Sequence, residues 1–291
     1  MEPISRTVET WDKVKLFTQV NERGSGCWLI ATHGIGEHLG RHEYIHQIFG
    51  NDVNTLQYDL RGHGKSGGNK AHVDDFEHFV KDLESMITYL RDKYSAKRVI
   101  LFGHSMGALI TLGLLQNNTT HNDILEGAIV NAPPMGFPGT LGKIVGLLNS
   151  NMTKKLAGIE PSIPLGGLVD LNYLSHDKTV RQDYEVDPLN HLKVHTRLIF
   201  QIVNYSKMVG AKPINSPCDL FCSYGSEDRI VAVGPLEKYF TDVEKNTPLK
   251  CFEGAYHELH LETDRYRIPY FDYLKGLVDQ MVYKKELKEN A

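Results

Sequence analysis

The sequence has 291 residues, of which 41% are apolar and 23% are charged, and its formal net charge is −4. This composition is typical of a folded protein with a substantial core and argues against an intrinsically disordered chain. The 32 basic residues are spread along the sequence and form no stripe. We therefore expect no nucleic-acid partner and no strong electrostatic attachment to a membrane.

The N-terminal segment and the cysteines indicate a cytoplasmic protein. Residues 1–15 carry several charges and lack the apolar stretch of a signal peptide, and no apolar run is long enough to span a membrane. The cysteines form no C-x-x-C pair and are expected to be free thiols in a reducing compartment; they are Cys27, Cys218, Cys222 and Cys251. Peripheral association with a membrane is the alternative.

The first predicted elements form a sheet edge, followed by a regular alternation of strands and helices. Residues 4–20 alternate loosely around a turn near Asp12, which predicts two antiparallel edge strands. From Cys27 onwards apolar strands alternate with helical segments, the clearest being a helix over 74–94 that Asp74 is expected to cap. Strands separated by helices cannot form hairpins, so the pattern predicts a mostly parallel sheet with right-handed crossovers.

The alternation fails after Pro134, where helix-like pieces are joined by glycine and proline. It resumes with elements that complete the sheet and its helices: a strand at 218–222, a helix near 233–241, a strand at 248–254 and a helix near 263–283. The sequence thus predicts an α/β fold in one domain, residues 1–291, with a mostly parallel central sheet flanked by helices and an inserted helical cap at about 135–214.

A serine nucleophile is indicated by the segment GHSMG at 103–107, which lies between an apolar strand and a helical segment. This is the pattern of a nucleophile elbow, in which Ser105 occupies a sharp strand-to-helix turn. The flanking glycines are expected because a Cβ at either position would clash where the helix approaches the strand. A serine hydroxyl needs a base and an orienting carboxylate to become nucleophilic.

Both partners follow in the expected order, each just after a late predicted strand. Asp228 lies in GSEDRIV and is the predicted orienting acid, with Glu227 as its rival. His257 lies in EGAYHELH and is the predicted base, with His260 as its rival. The order Ser, Asp, His is that of α/β-hydrolases and differs from those of the trypsin and subtilisin folds.

An oxyanion hole is predicted from two backbone N–H groups. One belongs to Met106, directly after the nucleophile, and the other belongs to Ile35 in the loop HGIGEH that follows an apolar strand. Such donors stabilise the negative charge that develops during acyl transfer. His33 is expected to be structural and to fill this loop beneath the site.

The chain resembles the monoacylglycerol lipase and lysophospholipase family of α/β-hydrolases. The similarity spans nearly the whole core, but in the cap it is confined to one motif, DYEVDPL. It is carried by HGIGEHLGRH (33–42), YDLRGHGKSGG (58–68), GHSMGA (103–108), NAPP (131–134), DYEVDPL (183–189), GSEDRIV (225–231) and EGAYHELH (253–260).

The resemblance implies a polar end of the pocket for a glycerol-like head group. Glu37, Arg41 and His260 would form this end, and Tyr184 on the cap would close over it. A site that hydrogen-bonds hydroxyl groups discriminates strongly against substrates that lack them. The alternative for Glu37 and Arg41 is a structural ion pair that shapes the oxyanion loop, and both roles are compatible.

We expect no metal and no cofactor. His38, His42 and His46 recur at i, i+4 spacing, but no carboxylate pattern supports a metal face there. The segment from His257 to His260 is not H-E-x-x-H, because its two histidines are three residues apart.

The cap contains more apolar residues than a solvated segment needs, notably in LGKIVGLLNSNM (141–152) and RLIFQIVNYSKMV (197–209). Core packing is one interpretation. The other is an apolar lip that makes transient contact with a membrane and admits lipid.

The sequence therefore predicts a serine hydrolase that cleaves long-chain carboxylic esters through an acyl-enzyme on Ser105. The resemblance implies monoacylglycerol as the lipid monoester substrate, with fatty acid and glycerol as products. A lysophospholipase or a general carboxylesterase would share the same triad. An acyltransferase would use the same acyl-enzyme but exclude water, and a non-catalytic binding protein of this fold would not need the triad.

Overall fold

The described part of the chain is built around a central sheet of eight strands. The computed structural model describes residues 2–49, 53–117, 119–139, 142, 147, 150–158, 162–167 and 169–289. The strands of the described residues are, in chain order, β1 (Ile4–Glu9), β2 (Lys15–Asn21), β3 (Cys27–Thr32), β4 (Asn54–Tyr58), β5 (Arg98–His104), β6 (Leu125–Asn131), β7 (Pro164–Gly166), β8 (Lys193–His195), β9 (Asp219–Gly225) and β10 (Leu249–Phe252). β7 and β8 form a separate pair, and the other eight form the central sheet.

The main sheet has the order β1-β2-β4-β3-β5-β6-β9-β10. β1 and β2 pair antiparallel at one edge, β2 pairs antiparallel with β4, and the remaining neighbours are parallel. Both the edge hairpin and the mostly parallel sheet that the sequence predicts are therefore confirmed. Because β3, β5, β9 and β10 run in the same direction, the loops that follow them meet at one edge of the sheet.

Helices cover both faces of this sheet. They are α1 (Tyr44–Phe49), α2 (Glu77–Tyr94), α3 (Met106–Gln116), α4 (Ser150–Ala157), α5 (Lys178–Val186), α6 (Thr196–Gly210), α7 (Val233–Lys238) and α8 (Asp264–Glu289). Apolar side chains of α2, α3 and α6 pack in one cluster, and those of α1 and α8 pack in another. Every residue of α3 is buried, as expected for a helix that is apolar on all sides.

The start of α2 differs from the prediction. The helix begins at Glu77, and it is Asp75 rather than Asp74 whose carboxylate accepts the Glu77 N–H, at 3.0 Å. Asp74 instead pairs with Arg197 of α6 at 2.7 Å. Asp74, the predicted cap, is therefore part of a long-range ion pair, and its neighbour Asp75 caps the helix.

The chain leaves the main sheet between β6 and β9, and we propose that residues 135–214 of this interval form the cap. Its described part contains α4, α5, α6 and the antiparallel pair β7–β8. It is tied to the core next to the predicted site, because Gly36 O accepts from His191 N at 2.7 Å and Leu174 O accepts from Glu258 N at 2.8 Å. None of the helices in the described part of the chain has the length and apolarity needed to cross a membrane.

Candidate active site

Ser105 lies at the corner between β5 and α3. Its backbone angles, φ 52° and ψ −116°, are strained for a residue with a side chain. The peptide is held by a hydrogen bond from Ser105 N to Asn131 O at 2.8 Å. The elbow geometry indicated by the sequence is therefore present at this serine.

The two glycines of the elbow allow close approach of the backbone. A Cβ on Gly107 would clash with the carbonyl oxygens of Thr32 and His33 at the end of β3. A Cβ on Gly103 would lie 2.5 Å from the carbonyl oxygen of Gly107 and 2.7 Å from the Thr111 hydroxyl. The first turn of α3 thus packs directly on the strands that carry the site.

Gly107→Ala is expected to lower the free energy of unfolding by about 3 kcal/mol, because backbone atoms cannot yield to the added methyl group. Urea unfolding followed by circular dichroism measures the change. Gly276→Ala in α8 is the matched control, since no atom of the described residues outside its own helix backbone lies within 4 Å of its added Cβ. It should leave stability unchanged or raise it by up to about 1 kcal/mol; equal losses in both variants would contradict the packing argument.

Asp228 and His257 are in direct contact. His257 Nδ1 lies 2.6 Å from Asp228 Oδ2, and both side chains are buried. The other carboxylate oxygen, Oδ1, accepts from the N–H groups of Ile230 at 2.8 Å and Val231 at 3.0 Å. These bonds fix the carboxylate, so it orients the imidazole with Nδ1 as the donor.

The charge environment of His257 favours the imidazolium form. Burial lowers the pKa of His257, but the Asp228 carboxylate outweighs this effect by Coulombic attraction and hydrogen bonding, and Glu258 and Glu37 add to it. The net result is a pKa above the usual histidine value. This is the direction required of a base that must hold a proton between two steps of acyl transfer.

The predicted oxyanion loop lies against the nucleophile. A Cβ on Gly34 would be 3.2 Å from the Cβ of Ser105. Ile35 follows Gly34 and lines the same cavities as Ser105. Met106 is the first residue of α3, so its N–H has no acceptor within the helix.

His33 supports this loop from below. Its Nε2 accepts from Leu60 N at 2.9 Å and its Nδ1 lies 2.8 Å from Gly34 O. Complete burial, together with the nearby His63, lowers the pKa of His33 well below its usual value. A neutral ring with Nδ1 as donor satisfies both bonds, which agrees with the structural role expected for this residue.

Two cavities meet at Ser105. One, of about 30 Å³, combines apolar side chains with the polar groups of the site. Because the carboxylates of Glu37 and Glu258 both line it, we call it the polar cavity. Its other lining residues are Gly34, Ile35, His104, Ser105, Val169, Leu171, Leu174, Tyr184, Ile230 and His257. The other, of about 140 Å³, is lined mainly by apolar side chains of the core and cap; we call it the apolar cavity. The apolar side chains lining it are Ile35, Met106, Pro134, Phe137, Pro138, Val169, Val194, Ile199, Ile202, Ile230 and Val231.

Glu37 and Arg41 form an ion pair, and a third group shares it. Arg41 Nε lies 3.2 Å from Glu37 Oε2, and Arg41 NH2 lies 2.5 Å from Glu258 Oε2. Glu37 Oε1 accepts from Gly34 N and lies 3.1 Å from His42 Nε2. Glu37 therefore shapes the oxyanion loop and also lines the polar cavity, so both sequence interpretations describe its position.

Ionisation of this cluster follows from its partners. Burial alone would raise the pKa of Glu37, but His42 and Arg41 hold it well below the usual range. Burial disfavours the charged form of Arg41, yet Glu258 and Glu37 raise its pKa further above the usual value. Glu37 and Arg41 are therefore both charged.

Tyr184 of α5 lines the polar cavity. The guanidinium carbon of Arg41 is 4.8 Å from the centre of its ring. A Cβ on Gly36, where φ is +74°, would lie 2.7 Å from the Tyr184 hydroxyl oxygen. The cap and the oxyanion loop are thus in contact at this point.

His260 differs from its expected position at the head-group end. It lines neither the polar nor the apolar cavity. Its ring is buried between His42, at 4.4 Å between ring centres, and Tyr44, at 5.1 Å. Neither of its nitrogens has a hydrogen-bond partner among the residues that the structure describes. Burial, with His42 and His104 nearby, lowers its pKa well below the usual value. Stacking on the His42 and Tyr44 rings holds it away from the cavity wall.

The histidines with i, i+4 spacing have three separate partners. His38 Nε2 lies 2.9 Å from Asp187 Oδ2, while His42 contacts Glu37 and His46 contacts Thr55. Ligand atoms of Glu37, His42 and His260 do lie within 4.8 Å of one another. However, the His42 and His260 rings are stacked at 26°, so their in-plane lone pairs do not converge on one ion.

The apolar cap pieces separate into buried and exposed parts. Leu198, Ile202 and Val203 of α6 are buried, so core packing is the correct interpretation for them. Leu147 is 86% exposed. The other apolar residues predicted in the first piece, Leu141, Ile144, Val145 and Leu148, lie outside the described residues.

Sequence reasoning missed Glu258. It directly follows His257, lines the polar cavity and is buried. The signal in the sequence is an acidic residue next to the predicted base within EGAYHELH. The sequence analysis considers this segment only as a possible metal motif. Its partner Arg41 is 217 positions away in the sequence, so the pairing itself carries no local signature.

Comparison with known proteins agrees with this geometry. The model of the Hydrolase_4 family, described as "Serine aminopeptidase, S33", matches residues 27–264. A monoglyceride lipase homolog of Monkeypox virus is 31% identical over 242 residues, which cover 81% of this chain and 83% of the relative. Monoglyceride lipase of Rattus norvegicus is 30% identical over 239 residues, or 80% of this chain and 76% of the relative.

Solved structures show the same fold. Paleococcus ferrophilus monoacylglycerol lipase superposes with a TM-score of 0.76 at 24% identity, covering 97% of this chain and 100% of that chain. A soluble variant of Saccharomyces cerevisiae monoglyceride lipase, solved with a substrate analog, gives a TM-score of 0.81 at 22% identity, covering 97% and 96%. The chain therefore has the α/β-hydrolase fold, and it belongs to the Hydrolase_4 family and, within it, to the monoacylglycerol lipase and lysophospholipase family of serine hydrolases.

Proposed function

We propose that this protein hydrolyses monoacylglycerol to a fatty acid and glycerol. The observation that carries the proposal is the meeting of a polar and an apolar cavity at Ser105. A monoacyl ester has the same two-part character, a long apolar chain and a small polar head. Relatives at about 30% identity that are named monoglyceride lipases support the choice of substrate.

In this mechanism Ser105 attacks the ester carbonyl and His257 takes the hydroxyl proton. Asp228 holds the Nδ1–H tautomer and stabilises the imidazolium. The N–H groups of Ile35 and Met106 stabilise the oxyanion, each contributing about 3 to 4 kcal/mol to the transition state. His257 then protonates the leaving alcohol, and a water molecule deprotonated by His257 releases the fatty acid.

The acyl chain lies in the apolar cavity, and the glycerol begins in the polar cavity and extends into a larger neighbouring cavity, because about 30 Å³ holds only part of it. Tyr184 and the Glu37–Arg41 pair bind or shape the head-group end. A third cavity, of about 420 Å³, shares Ile35, Leu171 and Tyr184 with the polar cavity, and it offers the alcohol a way out under the cap. His260 stacks on His42 and Tyr44 outside the polar cavity and does not contact the glycerol.

The cap contacts the lipid surface from which the substrate comes. This is supported by exposed apolar side chains in the described part of the cap. They are Leu147, Met152, Ile163, Leu165 and Leu192.

A substrate panel tests the proposal. Purified protein is assayed with monoacylglycerols, lysophospholipids and methyl esters that carry the same acyl chains, and with an aminoacyl anilide because the family description names an aminopeptidase. We expect the highest kcat/KM for monoacylglycerol. Equal rates for glyceryl and methyl esters would overturn the head-group assignment, and a preference for the anilide would overturn ester hydrolysis.

A further inference from the structure

We propose that Glu258 determines head-group specificity by making the polar cavity selective against esters whose leaving alcohol carries a negative charge. The inference rests on the proposed ester hydrolysis at Ser105. It concerns the charge of the head group rather than its hydroxyl groups.

The charges around the polar cavity are unbalanced. Two carboxylates, Glu37 and Glu258, share one guanidinium, that of Arg41. The Arg41 side chain is only 8% exposed and does not line the cavity, whereas both carboxylates do. Of the described residues that line it, none is lysine or arginine.

Two neighbouring histidines, His104 and His260, supply no positive charge at the cavity wall. Burial, with His257 and His42 nearby, lowers the pKa of His104 to about 3. His260 is held neutral in the same way, and His42 lies behind Glu37 and does not line the cavity. An anionic head group would therefore lose its water of hydration beside an excess of negative charge.

Glu258 is the member of this cluster whose removal changes the balance with least disturbance. Glu37 also holds Gly34 N in the oxyanion loop, whereas the side-chain partner of Glu258 is Arg41. In Glu258→Gln the amide oxygen still accepts from Arg41, but one negative charge is removed from the cavity wall. The positive charge of Arg41 is then less neutralised by its neighbours and attracts an anionic head group more strongly.

The test uses two esters that differ in leaving-group charge: the decanoate esters formed at the phenolic oxygen of 4-(hydroxymethyl)phenol and of 4-hydroxybenzoate. Release of the phenol is followed by its ultraviolet absorbance. We expect the wild type to prefer the neutral ester in kcat/KM by about tenfold or more, and Glu258→Gln to reduce this preference about fivefold or more, mainly by a gain on the anionic ester. Glu258→Asp should keep the preference. Glu253→Gln is the matched control, because it removes the same charge from an exposed position five residues earlier.

A second readout separates charge from structure. The groups that act on His257 are Asp228, Glu258, Glu37 and His104. Removing the Glu258 carboxylate lowers the pKa of His257, and the enzyme needs the neutral imidazole. The acid limb of the kcat profile should therefore move to lower pH in Glu258→Gln and stay in place in Glu253→Gln. A merely structural residue would lower activity without moving this limb.

Three outcomes overturn the proposal: an unchanged preference in Glu258→Gln, an equal fall in Glu253→Gln, or equal wild-type rates on the two esters. The last of these decides even if no variant folds. Because neither ester contains glycerol, selectivity can hold while monoacylglycerol is not hydrolysed, and that result would overturn only the proposed substrate.

Discussion

Ser105→Ala is expected to lower kcat for ester hydrolysis by about 10⁶-fold while the protein remains folded. In the proposed mechanism the hydroxyl oxygen forms the acyl-enzyme, and no other group at the elbow can replace it. The methyl group of alanine fits the same turn, whose strained φ of 52° is already tolerated by a residue with a Cβ. Steady-state assays of the monoacylglycerol used in the panel, with thermal unfolding alongside, measure both parts of the prediction.

Ser95→Ala is the matched control for this variant. Ser95 shares the same φ of 52° at the end of α2, but it is exposed and does not line the polar or the apolar cavity. It should keep full activity and full labelling by a fluorophosphonate, which reacts with activated serines. Wild-type labelling that persists in Ser105→Ala would place the nucleophile elsewhere, and retained esterase activity would remove the proposed mechanism.

Local sequence signals were sufficient for the elements that carry the chemistry. Ser105, Asp228 and His257 each follow a strand of the same direction, so their turns meet at one edge of the sheet whatever the packing details. The glycines of the elbow announce a close backbone approach, and Gly107 indeed packs on the end of β3. These features depend on neighbours in the sequence, which is why they could be predicted.

The remaining features depend on contacts between distant segments. Glu258 meets Arg41 across 217 positions, and His260 is placed by stacking on His42 and Tyr44, two residues from the other end of the chain. Asp74 pairs with Arg197 of the proposed cap, and Asp75 accepts the Glu77 N–H at the start of α2 in its place. In each case burial or charge pairing in the folded protein outweighs the local preference.

Asp228→Asn is expected to lower kcat by about 10⁴-fold, a smaller loss than that of the nucleophile. The reason lies in how the carboxylate is held. Its Oδ1 accepts from the N–H groups of Ile230 and Val231, so an asparagine must keep its oxygen at that position. The amide NH2 then faces His257 Nδ1, which must become the acceptor. The ring proton is thereby forced onto Nε2, and this nitrogen can no longer remove the proton of Ser105.

Glu227→Gln provides the matched control, because Glu227 is exposed, adjacent in sequence and was the rival for the acidic role. It should leave kcat within about twofold, as expected for a surface substitution. Asp228→Asn should also keep a melting temperature close to that of the wild type, since the two backbone hydrogen bonds are retained. Its activity loss would then reflect the wrong imidazole tautomer rather than unfolding. If Glu227→Gln were the inactive variant and Asp228→Asn the active one, the acid of the triad would have to be reassigned to Glu227, and the 2.6 Å contact between Asp228 and His257 would have only a structural role.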